Sequence, residues 1–282
     1  TDDVLYHSKA GYLKIGNEDA FCPWAFEMGL EMVSLFGGKL YYPDGAGNMI
    51  ETKGGTGIKD YWHAVFGGGS DPGEVVYKNV EGDMLGSWGA RLSYDGESNR
   101  FAVYADKFFE DHSAMFLVDY NGYGEGEEWQ VKKKHRYTIY DLKDWMLGVE
   151  FNHKPDAWLN DIVFEYLYTK YQSGPIYHDH TSAIPDHIGG RDNFYNHGFY
   201  AGYQHWGQVM GNPLYRSPIY NTDGSLDIED NRFIAFHLGL GGHPNDSFRY
   251  RVLATYQKGW GTYAQPFTKE RHNVSVLAET TY

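Results

Sequence analysis

Five stretches of the chain alternate between a mainly apolar set and a mainly polar or small set of side chains. In residues 87–94, Trp88, Ala90, Leu92 and Tyr94 alternate with Ser87, Gly89, Arg91 and Ser93. The same period of two recurs in residues 145–152, 162–169, 248–257 and 274–282. Because successive side chains of a strand point to opposite faces, this pattern predicts strands with one apolar and one polar face.

Connections of two lengths separate these strands. Tight turns rich in Gly, Pro, Asp and Asn are predicted at 95–100, 153–158 and 242–247, and long connections at 121–144, 172–197 and 259–272. Aromatic residues also cluster near strand ends. A soluble β-sandwich alternates as well, but short turns, long loops and terminal aromatics together favour an antiparallel transmembrane β-barrel.

One stretch departs from the expected alternation of short and long connections. Residues 207–232 are long where strict alternation requires a tight turn, and they contain Pro213, Pro218 and the sequence NTDG. Two interpretations remain open for them. The stretch either folds inward as a plug or contains a further hairpin.

The first 80 residues give a weaker pattern. Residues 11–16 predict a strand, residues 24–36 fit either a short helix or a strand, and the Gly-rich residues 37–80 predict loop. We find no internal repeat and no domain boundary, so residues 1–282 are interpreted as a single domain. The chain begins with Thr1 and stops within a strand pattern at Tyr282, so we interpret it as a piece of a longer protein.

Composition narrows the classes further. The net charge of −14 argues against nucleic acid as a partner, because that binding needs basic residues to neutralise phosphates. The 25 Tyr, 16 Phe and 8 Trp argue against disorder, and the single Cys22 excludes an internal disulfide. No apolar run is long enough for a transmembrane helix, whereas alternating barrel strands keep the average hydropathy low.

A loop at 176–193 concentrates possible metal ligands. It contains His178, Asp179, His180, Asp186, His187 and Asp192. Imidazole and carboxylate groups can hold a divalent ion, but the sequence identifies no groups that would orient them. We interpret the loop as a polar surface loop and expect no metal and no cofactor, with a calcium site or a pH-sensitive loop as open alternatives.

The stretch RDNFYNHGFYAGYQHW at 191–206 interleaves aromatic and planar polar residues. Sugars bind to proteins by stacking on aromatic rings while polar side chains contact the hydroxyl groups. The predicted polysaccharide-binding residues are Arg191, Asp192, Asn193, Tyr195, Asn196, Tyr203 and Trp206. The alternative is that these aromatics form an interfacial girdle and the outward face of a strand.

Signals for catalysis are weak. No pair of carboxylates is distinguished as a glycosidase pair, and the chain lacks G-x-S-x-G and a phosphate loop. We therefore expect no catalytic residues and no enzyme activity. The acid-rich loops at 119–128 and 176–192 keep a glycan hydrolase on a β scaffold as the alternative, and a porin-type channel is the third possibility.

Several segments resemble the Wzi-type capsule assembly proteins. The resemblance rests mainly on residues 189–221, with GGRDNFYNHGFYAGYQHWGQVMGNPLYRSPIYN, and on residues 165–180 before them. FFEDHSAMF (108–116), DYNGYGEGEEW (119–129) and YRVLATYQKGWGTY (250–263) are also similar to that family. The similarity extends over residues 80–282 and is looser before them.

The resemblance implies a fold, a location and a function. Members of this family are Gram-negative outer-membrane β-barrels of about eighteen strands with periplasmic helical elements, and they hold capsular polysaccharide like lectins. This chain is too short for that whole barrel. We expect an all-β barrel, truncated here and with minor helical or plug elements, whose loops face the exterior. Its expected partners are surface polysaccharide and outer-membrane lipid, and we expect it to be monomeric.

Overall fold

The computed structural model describes residues 2–16, 22–66, 83–110, 118–119, 136–137, 143–175, 177–178, 188–189, 191–197 and 200–282. In chain order the strands are β1 (Asp2–Gly16), β2 (Trp24–Pro43), β3 (Met49–Lys53), β4 (Asp83–Asp95), β5 (Asn99–Glu110), β6 (Val118–Asp119), β7 (Arg136–Tyr137) and β8 (Trp145–His153). They continue with β9 (Ala157–Tyr168), β10 (Tyr177–His178), β11 (Ile188–Gly189), β12 (Gln204–His205), β13 (Gln208–Val209), β14 (Phe233–Asn245), β15 (Phe248–Gly261) and β16 (Pro266–Thr281). One α-helix, α1 (Ile58–Phe66), and a 3-10 turn at Pro218–Tyr220 complete the described elements.

Nine long strands form one antiparallel sheet. Its order is β1-β2-β4-β5-β8-β9-β14-β15-β16, and β3 pairs with β2 beside this path. Each strand pairs with its nearest long neighbours along the chain, so the sheet is a simple meander. Because every step reverses direction, β1 and β16, the two edges within the described ranges, run in the same direction.

Two neighbouring rows of residues on opposite faces of this sheet differ sharply in polarity. One row of directly opposed residues crosses all nine strands and is entirely apolar or aromatic; it comprises Leu13, Met28, Ala90, Ala105, Leu147, Tyr166, Phe236, Tyr256 and Val274. The neighbouring row on the opposite face is polar apart from one glycine; it comprises Lys14, Glu27, Arg91, Tyr104, Gly148, Glu165, His237, Thr255 and Ser275. We call these two sides of the sheet the apolar face and the polar face.

The five strands predicted from the period of two are confirmed as parts of β4, β8, β9, β15 and β16. Several charged and imidazole side chains of the sheet share the polar face; they are Arg91, Glu150, Glu165, His237, Arg249, Arg251 and Glu279. The strand predicted at 11–16 is confirmed within β1. For residues 24–36 the strand alternative is correct, since β2 runs through them.

Three sequence predictions were wrong. Residues 259–272 are no long connection, because β15 reaches Gly261 and β16 begins at Pro266 after a register shift. The Gly-rich residues 37–80 are not all loop, since the end of β2, β3 and α1 occupy part of them and the remainder from 67 lies outside the described residues. The described residues within 191–206 form no strand of the large sheet, so they do not provide an outward strand face.

The two ends of the sheet differ in their connections. Residues 96–98, 154–156 and 246–247 make tight turns at one end, which we call the short-turn end. The opposite, long-connection end includes the connections from β2 to β4, from β5 to β8 and from β9 to β14. Residues 207–232 therefore do not break the alternation of short and long connections. They belong to the single long connection 169–232 between β9 and β14.

Helix α1 covers the apolar face at the long-connection end of β1 and β2. Its backbone carbonyl at Ala64 accepts a hydrogen bond of 2.8 Å from the Ser34 hydroxyl, and both residues are buried. Tyr61 packs edge-on against His7, with ring centroids 5.2 Å apart. Among the described residues, no helix has the length and apolar character needed to cross a membrane.

Candidate functional site

The described residues of 169–232, which we call the inner segment, pack mainly over the polar face at the long-connection end. There the strands carry apolar side chains inward, and the aromatic residues of the segment bury them. The resulting core consists of Leu35, Leu167, Phe194, Tyr195, Tyr200, Tyr203, Tyr215, Ile228, Phe233 and Ala235. The described part of 207–232 thus packs on the sheet rather than extending it, and the short β12–β13 hairpin lies at its start.

Two of the predicted sugar-binding tyrosines belong to this core. Tyr203 is 2% exposed, and its hydroxyl donates to the carbonyl oxygens of Asp83 and Val33 at 3.0 and 3.3 Å. Tyr195 stacks on Tyr215 with ring centroids 4.0 Å apart. The hydroxyl of Tyr203 is therefore already used by the backbone, and its buried ring offers no accessible face to a ligand.

The predicted polar residues Asn193 and Asn196 hold the inner segment together. The side-chain amide of Asn196 contacts the backbone of Ile228 twice, donating to its carbonyl at 2.9 Å and accepting from its N–H at 2.8 Å. Asn193 accepts a 2.6 Å hydrogen bond from the amide of Asn231 and donates its backbone N–H to Glu110 at 3.0 Å. In this irregular segment, the two asparagine side chains thus form hydrogen bonds where regular strand pairing is absent.

Asp192 and Arg191 open this irregular stretch. The Asp192 carboxylate accepts a hydrogen bond from the Ser173 hydroxyl. The backbone N–H of Asp192 donates to the carbonyl of Gln172 at 3.1 Å. Arg191 is exposed, and its guanidinium lies 5.9 Å from the ring centroid of Tyr263. Arg191 is therefore available to solvent, whereas Asp192 serves the local backbone.

Trp206 is the most exposed of the predicted residues. It lies in the turn of the β12–β13 hairpin with 86% of its surface accessible and a backbone φ of +52°. Ile219 and Tyr220 are exposed by 58% and 66%, and the Ile219 N–H donates to the Gly207 carbonyl beside the turn. We call Trp206, Ile219 and Tyr220 the exposed tip of the inner segment.

Polar groups surround the exposed tip. His205 packs edge-on against Trp206, with centroids 6.1 Å apart, and Arg216 donates to the carbonyl of Tyr220 at 2.6 Å. Aromatic rings beside a cation and an imidazole supply the two kinds of contact that sugars use. Ile219, Tyr220 and Arg216 were missed by the sequence analysis, although the adjacent Pro218 and NTDG marked a turn that would expose them.

Burial shifts the pKa of two titratable groups in the inner segment. Burial lowers the pKa of His197 to about 4, and its Nδ1 faces the Tyr200 N–H at 3.3 Å. Burial raises the pKa of Asp230 to about 6, although its carboxylate accepts a hydrogen bond from the Gly261 N–H at 3.1 Å. A side chain at Gly259 would overlap that carboxylate, so glycine is required there.

Toward the short-turn end the polar face is left uncovered by the described part of the inner segment. Arg91 pairs with Glu150 at 2.8 Å, and the Tyr104 hydroxyl donates to Glu165 at 2.6 Å. A cavity of about 380 Å³ opens here between β8, β9, β14 and β15, and Glu165, His237 and Arg251 line it. A second cavity of the same size lies under the inner segment, beside Tyr195 and Asn212. Both are large enough for a small ligand.

The predicted histidine-rich loop falls mostly outside the described residues. Asp179, His180, Asp186 and His187 are not described, and His178 lies in the short strand β10, paired with β11. In the described part of the chain, no three His, Cys, Asp or Glu residues come together as a metal site.

Comparison with known proteins gives no match: no family model, no curated protein and no solved structure is similar to this chain.

Proposed function

We propose that this chain forms part of an outer-membrane β-barrel that binds or organises capsular or surface polysaccharide at the surface of a Gram-negative cell. The observation that carries the proposal is a pair of neighbouring rows on opposite faces, one apolar or aromatic and one polar apart from a glycine, across nine adjacent strands of the sheet. A barrel places an unbroken apolar band against lipid and its polar side chains inside.

The exposed residues of the apolar face support a lipid environment. Phe26, Leu13 and Val276 are exposed by 40%, 58% and 68%, and exposed apolar residues recur along all nine strands. Contiguous apolar surface of this extent is rare on soluble monomers and marks contact with another apolar phase. In lipid, the sheet must also close, because unpaired backbone groups are costly there.

The inner segment supports a binding protein rather than an open channel. Its aromatic core occupies the space over the polar face at the long-connection end, where an open pore would require water. Long connections face the exterior in barrels of this class, so the segment would lie near the cell surface. We propose no enzymatic step for it.

The exposed tip is the proposed site of polysaccharide contact, together with Arg191. Trp206 and Tyr220 offer accessible rings, and Arg216 and His205 lie beside them. Tyr195 and Tyr203 support the site from below by packing, which differs from the direct contact predicted for them.

The experiment is a retention assay with purified capsular polysaccharide on the full-length protein. We expect Trp206→Ala to weaken binding about tenfold, since an aromatic anchor contributes roughly 1–2 kcal/mol. Trp158→Ala is the matched control, because Trp158 is 72% exposed at the short-turn end. Equal binding by both variants would place the site elsewhere.

Membrane insertion is measured separately. The protein should fractionate with the outer membrane and should migrate differently on gels with and without boiling, as stable barrels do. Recovery of the full-length protein as a soluble monomer would overturn the proposed barrel, whatever the binding assay gives.

A further inference from the structure

Basic and aromatic side chains meet at the long-connection end of β9, β14 and β15. The ammonium groups of Lys170 and Lys258 lie 3.9 and 5.2 Å from the ring centroid of Trp260. The guanidinium of Arg232 lies 3.6 Å from the ring centroid of Tyr263. We call these five residues the basic patch; Arg191 approaches the same Tyr263 ring at 5.9 Å.

The basic patch continues the apolar face. Lys258 is directly opposite Ile234 on one side and His272 on the other, and Ile234 is opposite Tyr168. Directly opposed residues share a face, so Lys258 points to the same side as the apolar row that contains Tyr256. Lys170 contacts the same Trp260 ring as Lys258, so these two cations lie together at the long-connection edge of the apolar band, where headgroups would meet the barrel.

The positive charge of the patch is only partly neutralised. Glu270 lies 2.7 Å from Lys258 and accepts from the Trp260 indole at 3.2 Å. Within the described part of the chain, neither Lys170 nor Arg232 forms an ion pair with a carboxylate. Burial lowers the pKa of Lys170, and the nearby charge of Arg232 acts in the same direction. Among the described residues, Lys258 is thus the one cation of the patch with a carboxylate partner.

Aromatic neighbours make this patch suitable for a phosphate at an interface. The rings of Trp260 and Tyr263 hold the cations by cation–π contacts, while Trp and Tyr themselves favour the boundary between lipid and water. Basic residues near a membrane surface attract anionic headgroups, and arginine binds phosphate through two parallel N–H groups.

We propose that the basic patch binds the phosphate groups of an anionic glycolipid in the outer leaflet. This inference rests on the proposed barrel, because it requires the apolar face to lie in the membrane. It goes beyond polysaccharide binding, because it names the chemical class of lipid that contacts the protein at the basic patch.

The test compares lipid retention by full-length protein in phosphatidylcholine vesicles that contain either lipid A or lipid A with its phosphates removed. Native mass spectrometry counts the lipids that remain bound. We expect phosphorylated lipid A to be retained and its dephosphorylated form to be lost. Inorganic phosphate, added in excess, should compete only weakly, since it lacks acyl chains that contact the apolar face.

The variant K170Q/R232Q/K258Q should weaken lipid A retention about a hundredfold, because each basic residue near a surface contributes roughly a factor of five. The matched control K39Q/K53Q/K59Q also removes three positive charges, from exposed positions on β2, β3 and α1. It should bind like the parent protein.

The outcomes separate this inference from the proposed function. If the protein inserts and shows the gel shift on boiling but retains both lipids equally, the inference is wrong and the barrel stands. Equal losses in the two triple variants would also overturn it, because general charge would then explain retention. A protein that does not insert contradicts the barrel itself.

Discussion

Individual side chains in the inner segment are used in two opposite ways. The Tyr203 hydroxyl points into the sheet and donates hydrogen bonds to two backbone carbonyls. Trp206 instead points outward from a residue with left-handed backbone conformation. A bulky residue with positive φ costs roughly 1–3 kcal/mol, so packing elsewhere must offset it. The Tyr195–Tyr215 stack and the Asn196 amide are among the contacts that stabilise the inner segment.

Two titratable residues of the inner segment, His197 and Asp230, should give opposite pH dependences of stability. The folded pKa of His197, about 4, lies below its ordinary 6.5, so its contribution to stability is present above pH 6.5 and is lost as the pH falls toward 4. Compared with the parent, His197→Gln should therefore gain stability over that range by up to about 1.4 kcal/mol per pH unit. Urea titrations in detergent at several pH values measure it.

Asp230→Asn should behave in the opposite sense. The folded pKa of about 6 is raised from 3.8, so Asp230 contributes stability below pH 3.8 that is lost as the pH rises through 6. Relative to the parent, the asparagine variant should lose stability as the pH is lowered between these values. The same slope in both variants would contradict the two assignments.

At the scale of strands, close pairing on the polar face depends on glycine. Tyr104 and Gly148 are directly opposite on β5 and β8, and the tyrosine ring lies over the glycine to reach Glu165 on β9. A Cβ at Gly148 would overlap that ring. The Tyr104 ring therefore extends from β5 over β8 to β9, through space that a side chain at position 148 would occupy.

Gly148→Ala should destabilise the protein by about 1–3 kcal/mol, because the Tyr104 ring must leave its position. Gly11→Ala is the control, since a Cβ there meets nothing within 4 Å. Combining Gly148→Ala with Tyr104→Ala should cost less than the sum of the single changes, as measured by unfolding in urea. Additive costs would show that the ring does not press on this position.

The strands were predictable because alternation repeats over many residues, while irregular segments carry no such period. Residues 162–169 needed only their own pattern to be placed in β9. Residues 259–272 were misread because glycines that usually mark loops here accommodate the Asp230 carboxylate and a register shift. The directions of Tyr203 and Trp206 could not be predicted, because in an irregular segment tertiary packing decides them.

For the whole molecule, strand direction constrains the proposed barrel. An antiparallel ring requires every neighbour to run oppositely, but β1 and β16 run in the same direction. In the closed barrel they must therefore be separated by an odd number of further strands, so the total is even. The fold of the described residues is thus compatible with closure only when other strands join these edges.

Cysteine cross-linking tests this arrangement in the full-length protein carrying Cys22→Ser. Cysteines at Ser8, Ala10 or Tyr12 on β1 should form no disulfide with a cysteine at Ser275 on β16. The positive control pairs Thr255→Cys with Ser275→Cys, which are directly opposed in neighbouring strands. Efficient cross-linking of β1 to β16 would refute the even-numbered ring.

The inner segment leaves and rejoins the sheet at one place, which makes it exchangeable. β9 and β14 are direct neighbours, and the Thr169 N–H donates to the Phe233 carbonyl at 2.9 Å where the segment starts and ends. Lengthening a connection whose ends already meet is inexpensive, at about 0.6 kcal/mol for each doubling. If the proposed barrel is correct, such a graft point would let one scaffold carry different recognition segments, so that glycan preference could diverge while the strands of the sheet stay unchanged.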